Sequence, residues 1–183
     1  MVIALISVGL AAGSLGVLAS GADYLGDALG TGLSLVALRM SRHPHGHPRA
    51  TSYAALVNAS LLLLVTLAVA VEAVYRLSTG APSVDGLPVV VVSVVAAAAM
   101  IGCALILGEV AGDLNMQSVM LDTVADAAAA IGVAVSGAVI LITGGLFWLD
   151  SVVALIIAVV VGYHALRLIR NVSADLREKA AAS

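Results

Sequence analysis

The sequence predicts an all-α fold, a polytopic transmembrane helix bundle of the six-span type with a shortened first span. Three observations predict it. Hydrophobic residues make up 62% of the 183 residues and charged residues only 10%, with a mean hydropathy of +1.15. A soluble domain is about half apolar and about a quarter charged. Residues 54–71, 87–108, 127–142 and 151–162 carry no charge at all, and about 20 apolar residues suffice to cross roughly 30 Å of hydrocarbon. Glycine, proline and polar clusters punctuate these tracts at span-length intervals.

Residues 1–12 are apolar and end at the break Gly13-Ser14-Leu15-Gly16. Twelve helical residues reach only about 18 Å, so this segment is a fragment of a span, and the true start is expected upstream. "MVIALISVGL" has no basic n-region and further spans follow, which argues against a cleaved signal peptide. An apolar helical pattern then runs to about Met40. "SRHPHGHPRA", residues 41–50, is a loop with two prolines, a glycine and three histidines. Further spans are expected over about 51–77, 87–107, 115–142 and 148–168, separated by "STGAPSVDG", "GEVAGD" and Thr143-Gly144-Gly145. Residues 171–183 read as a short polar tail. The single cysteine, Cys103, excludes a disulfide within the chain and reads as a small buried hydrophobe.

Orientation follows from the basic residues. Arg39, Arg42 and Arg49 flank the His-rich loop, and Arg167, Arg170, Arg177 and Lys179 cluster near the C-terminus. Four spans separate the clusters, so both fall on one side, with Arg76 on the other. The excess marks the cytoplasmic face.

Against this background "GADYLGDALG" (21–30) and "MLDTVADAAA" (120–129) stand out. Each places two aspartates four residues apart inside an apolar span, on one helical face a turn from each other. An ionised aspartate at mid-bilayer costs about 2.5–3.5 kcal/mol on insertion scales, and neither span offers an Arg or Lys nearby. Two such faces brought together converge Asp23, Asp27, Asp122 and Asp126. Like charges oppose one another's ionisation, so the cluster is satisfied by protons or by a divalent cation. Exchanging those two states is the chemistry of a proton-coupled metal carrier.

"AAGSLGVLASGADYLGDALGTGLSLVAL", "HPHGHPRATSYAALVN" and "LNMQSVMLDTVADAAAAIGV" together resemble the cation diffusion facilitator family. The resemblance covers Gly13 to Arg170. It implies six spans with both termini cytoplasmic, a homodimer, and efflux of a divalent metal against protons. It assigns Asp23 and Asp27 to the ligand positions of the second span, and Asp122 and Asp126 to those of the fifth. In the His-Gly-His loop it favours His43 and His47 as a further metal site, with His45 between them. Residues 1–170 are then a transmembrane cation-efflux domain. The expected location is the plasma (inner) membrane. No permanently bound cofactor, no enzymatic activity and no nucleic-acid partner are expected. The cargo the resemblance implies is Zn2+, Cd2+, Co2+, Fe2+ or Mn2+.

Three departures qualify the match. Zinc-transporting relatives usually have histidine where this chain has Asp122. The cytoplasmic domain that follows the last span in much of the family is not represented, so the chain resembles the branch lacking it. The first span is incomplete. The first departure bears on the metal, because four carboxylates form a hard oxygen set that suits manganese, whereas zinc prefers nitrogen and sulfur yet also accepts carboxylates.

Smaller signals complete the reading. Glu72 and Arg76 are spaced for an i,i+4 ion pair. Trp148 and Tyr163 read as interfacial belt residues, and His164 as interfacial. Small residues from Ala127 to Ser136 permit close helix packing. Two other functions fit paired membrane aspartates. An intramembrane aspartyl protease would need only Asp27 and one partner. A non-transporting metal-binding subunit would bind metal without flux.

Overall fold

A computed structural model of the chain describes residues 1–41, 50–110 and 114–181. Among these the elements are six helices: α1 (Val2–Ala12), α2 (Leu15–Ser41), α3 (Ala50–Thr79), α4 (Gly86–Val110), α5 (Leu114–Thr143) and α6 (Trp148–Ala181). Among the described residues, four segments are long and apolar enough to cross a membrane: Ser52–Thr79, Gly86–Gly108, Val119–Thr143 and Trp148–Ala174. The chain is an integral membrane protein with a helical bundle fold. α2, at 27 residues, has the length, but Asp23, Asp27 and five glycines dilute its apolar character. α6 does not stop at residue 168; its helix runs on through the polar tail to Ala181.

The punctuation acts as the sequence suggests. Gly13 ends α1 in the left-handed conformation, at φ 68°, which only glycine adopts without strain. Ser14 then starts α2, its Oγ accepting from the Val17 amide at 3.1 Å as an N-cap does. Asp85 caps α4 by accepting from the Leu87 amide, and its own amide donates to the Ala12 carbonyl. The end of α1 and the start of α4 are thereby tied together.

Helices consecutive in sequence run antiparallel. A Cβ on Gly9 would meet Leu18, and one on Gly21 would meet Leu5 and Ile6, so α1 and α2 form a hairpin. Gly26 and Gly30 face Leu62 and Asn58 across α2 and α3. α4 and α5 approach most closely, where a Cβ on Gly86 would stand 2.7 Å from the Gly137 carbonyl and one on Gly137 2.6 Å from Val89 Cγ1. Small residues allow such approach between membrane helices, where packing drives association. α3 and α6 form the other extensive pair.

Val17, Val89, Ala96, Ala130, Val133 and Ala154 are buried at the core. Leu64, Leu67, Val71, Leu105, Ile106, Ile142 and Val159 point outward, as a lipid-facing surface requires. Three hydroxyls within the spans fold back on their own helices: Thr66 donates to the Leu62 and Leu63 carbonyls, Thr123 to Val119 and Ser136 to Val133. This satisfies donors that hydrocarbon could not.

One expectation is overturned. Cys103 is exposed on α4, among the outward residues Ile101, Leu105 and Ile106. In a lipid-facing helix the outward surface is as apolar as the core, so hydrophobicity alone does not place a cysteine inside. Trp148 and Tyr163 are both exposed, Trp148 at the start of the apolar segment Trp148–Ala174 and Tyr163 within it.

Candidate functional site

Asp23 and Asp27 lie on α2 and Asp122 and Asp126 on α5, and all four line one cavity of about 820 Å³ between α2, α3, α5 and α6. Because the two helices bring position 23 opposite 126 and 27 opposite 122, the carboxylates form two tiers. In the inner tier Asp23 and Asp126 come within hydrogen-bonding range of each other. In the outer tier Asp27 lies within electrostatic reach of Asp122, and both of these side chains are exposed. Sequence reasoning expected convergence on a single point. The described side chains instead spread along the wall, and among the described residues no three His, Cys, Asp or Glu groups surround an ion-sized centre.

The small residues of α5 make room for this arrangement. Ala127 and Ala130 are buried, while Ala125, Ala128, Ala129 and Gly132 line the cavity. α6 supplies an apolar wall from Val153 to Val161, then His164, Arg167 and Asn171. The cavity therefore extends toward the end of the bundle that carries the basic residues. Past the inner tier, on the other side, Val17, Ala130, Val133 and Ala154 pack closed.

Arg167 is a cation that inspection of α2 and α5 alone does not reveal, because it arrives from α6. None of the four aspartates makes an ion pair with it. Among the described residues the one ion pair is Arg76 to Glu72, at 2.9 Å, on the predicted i,i+4 spacing. Arg76 also donates to the Gly13 carbonyl at 2.8 Å, which the spacing could not foretell.

Two further polar residues were missed. Asn58 on α3 lines the cavity and donates through Nδ2 to the Gly26 carbonyl at 3.0 Å. Asp150, fully buried, accepts from Ser14 Oγ at 2.5 Å, from the Leu15 amide at 2.6 Å and from the Gly16 amide at 3.2 Å. It caps α2 from the first turn of α6, beyond the closed layer. His164, read from sequence as interfacial, belongs to the cavity wall. His43, His45 and His47 lie outside the described residues.

Comparison with known proteins fits this geometry. The cation efflux transmembrane domain family matches residues 1–176. The zinc transporter ZitB of Yersinia pseudotuberculosis is 31% identical over 182 residues, covering 94% of this chain and 57% of that protein. ZitB of Escherichia coli is 29% identical, covering 96% of this chain and 58% of the relative. A cadmium, cobalt and zinc/H(+)-K(+) antiporter of Bacillus velezensis is 27% identical, over 85% and 53%. The chain thus spans a little over half the length of the relatives it matches. With this match over residues 1–176 and an all-helical membrane fold, the chain belongs to the cation efflux family, which it matches through the transmembrane domain.

Proposed function

We propose that the chain exports a divalent transition metal in exchange for protons, with Asp23, Asp27, Asp122 and Asp126 as the cargo ligands. The observation that carries this reading is the lining of one cavity by four carboxylates in two facing pairs. Facing carboxyl groups at hydrogen-bonding range hold either a shared proton or a cation, and either occupant relieves their repulsion. Such a site exchanges one for the other by its own chemistry. Cargo entering the cavity meets Asp27 and Asp122 first, and these turn inward to join the inner pair.

The names of the relatives support zinc, cadmium or cobalt as cargo. The all-oxygen donor set adds manganese and iron, since carboxylates suit harder cations. The excess of basic residues near the open end of the cavity supports a cytoplasmic side for that end and for the C-terminus. This conformation is then the one that loads cargo. In this reading His43 and His47 of the His-rich loop collect metal on the cytoplasmic side. The protein works in the plasma membrane as a homodimer.

The test is metal flux in proteoliposomes with an imposed pH gradient, across zinc, cadmium, cobalt, iron and manganese. Gradient-dependent flux of at least one metal is expected. No flux of any, with retained binding, would make the chain a metal-binding subunit. Flux that survives loss of Asp23 or Asp122 would contradict the four-ligand site.

A further inference from the structure

Asn58 stands out among the residues around the cavity. Its Nδ2 donates to the Gly26 carbonyl at 3.0 Å, and this bond fixes the orientation of the amide, since only the NH2 side can donate. Oδ1 must then point away from Gly26. That oxygen is covered from solvent and meets no donor among the described residues. Covered polar atoms without partners are rare and call for an explanation. Ser20 Oγ and Tyr24 Oη share this condition, and both lie on α2 within a turn of Asp23.

The placement is specific. Gly26 immediately precedes Asp27, and Gly30 follows one turn later. A Cβ on Gly30 would stand 2.9 Å from Asn58 Nδ2, so the absence of a side chain there lets α2 come close to this amide. Asn58 is thus docked on the turn that carries Asp27, and it lines the same cavity as all four aspartates.

We propose that Asn58 Oδ1 is a fifth, neutral oxygen ligand to the cargo and biases the site toward cations of higher coordination number. The inference rests on reading the aspartates as the cargo site. Amide carbonyls are ordinary ligands for hard cations. Zinc is satisfied by four ligands, whereas manganese favours an octahedral oxygen shell. A fifth oxygen therefore serves manganese more than zinc, and adds no charge to a site that already holds four carboxylates. The opposing account makes Asn58 a tie between α2 and α3 and nothing more.

Zinc and manganese titrations of the full chain in nanodiscs separate the two, with melting temperature read without metal. Asn58→Leu removes amide and oxygen together; Asn58→Asp keeps an oxygen at the same reach but loses the donor to Gly26. Asn58→Leu is expected to weaken manganese about tenfold or more, the scale on which supporting groups tune metal sites, and zinc by less than about threefold. Asn58→Asp should melt earlier, having lost the tie, yet keep its manganese affinity. Unchanged affinities in Asn58→Leu, equal losses for both metals, or loss of manganese in Asn58→Asp overturn the proposal. Asp23→Asn is the control: a parent that binds neither metal, or binding that survives in Asp23→Asn, overturns the cargo-site reading itself. If Asn58→Leu does not fold, the Asn58→Asp titration decides alone.

Discussion

Asp150 and Ser14, 136 positions apart in the chain, stand 2.5 Å from carboxylate oxygen to hydroxyl. The same carboxylate accepts from the amides of Leu15 and Gly16. One side chain of α6 thereby satisfies the orphan donors at the start of α2. Asp150→Ala leaves these donors buried and unpaired, and loss of a cap alone costs about 0.5–2 kcal/mol. A clear drop in melting temperature in detergent is expected. Asp150→Asn, which keeps one acceptor oxygen, should lose less.

Close packing of α4 on α5 gives a second prediction. A Cβ on Gly137 would lie 2.6 Å from Val89 Cγ1, whereas one on Gly102 would meet nothing within 4 Å. Gly137→Ala should destabilise by about 1–3 kcal/mol through overpacking, and Gly102→Ala should not. Adding Val89→Ala should recover part of the loss. Thermal unfolding of the three variants checks the order.

Read from the sequence as a cytoplasmic loop site, His43 and His47 are expected to tune transport and not to create it. His43→Ala with His47→Ala should weaken apparent affinity and leave maximal flux largely intact. Complete loss of flux in a well-folded double variant would contradict this.

The family resemblance implies that Asp122 stands at a position where zinc carriers have histidine, which makes it the sharpest test of the proposed ligand set. Asp122→His brings a nitrogen ligand into the oxygen set and should shift preference toward zinc and away from manganese. The imidazole that binds metal is neutral, so the empty cluster should also hold fewer protons near neutral pH. Asp126→Ala should abolish binding of every metal, since no substitute ligand remains at that corner. Zinc and manganese affinity and flux, measured for both variants beside the parent, give the comparison. An unchanged metal ranking in Asp122→His would remove Asp122 from the ligand set.

What the sequence showed and what it hid divide along one physical line. Spans, breaks and the two aspartate pairs are written in local pattern: apolar runs, glycine punctuation and a spacing of four. The Glu72–Arg76 pair was legible for the same reason. Asn58 and Asp150 were not, because their partners, Gly26 and Ser14, lie one or more helices away and no local rule links them. Cys103 was misplaced because lipid and protein core are equally apolar to a side chain. That His164 lines the cavity was not legible either, since this depends on how α6 turns toward α2 and α5. The two tiers of carboxylates likewise depend on helix pairing, which spacing within one helix cannot supply.

The central claim is that the four aspartates trade protons for metal, and the most direct measurement counts those protons. Calorimetric titration of the purified chain with zinc, repeated in buffers of different ionisation enthalpy, gives the protons released with each ion bound. Release is expected, together with affinity that weakens as pH falls, because protons compete for the same oxygens. Asp23→Asn should release fewer protons and bind more weakly. Binding that releases no protons and keeps its affinity as pH falls, or release that is unchanged in Asp23→Asn, would contradict the account.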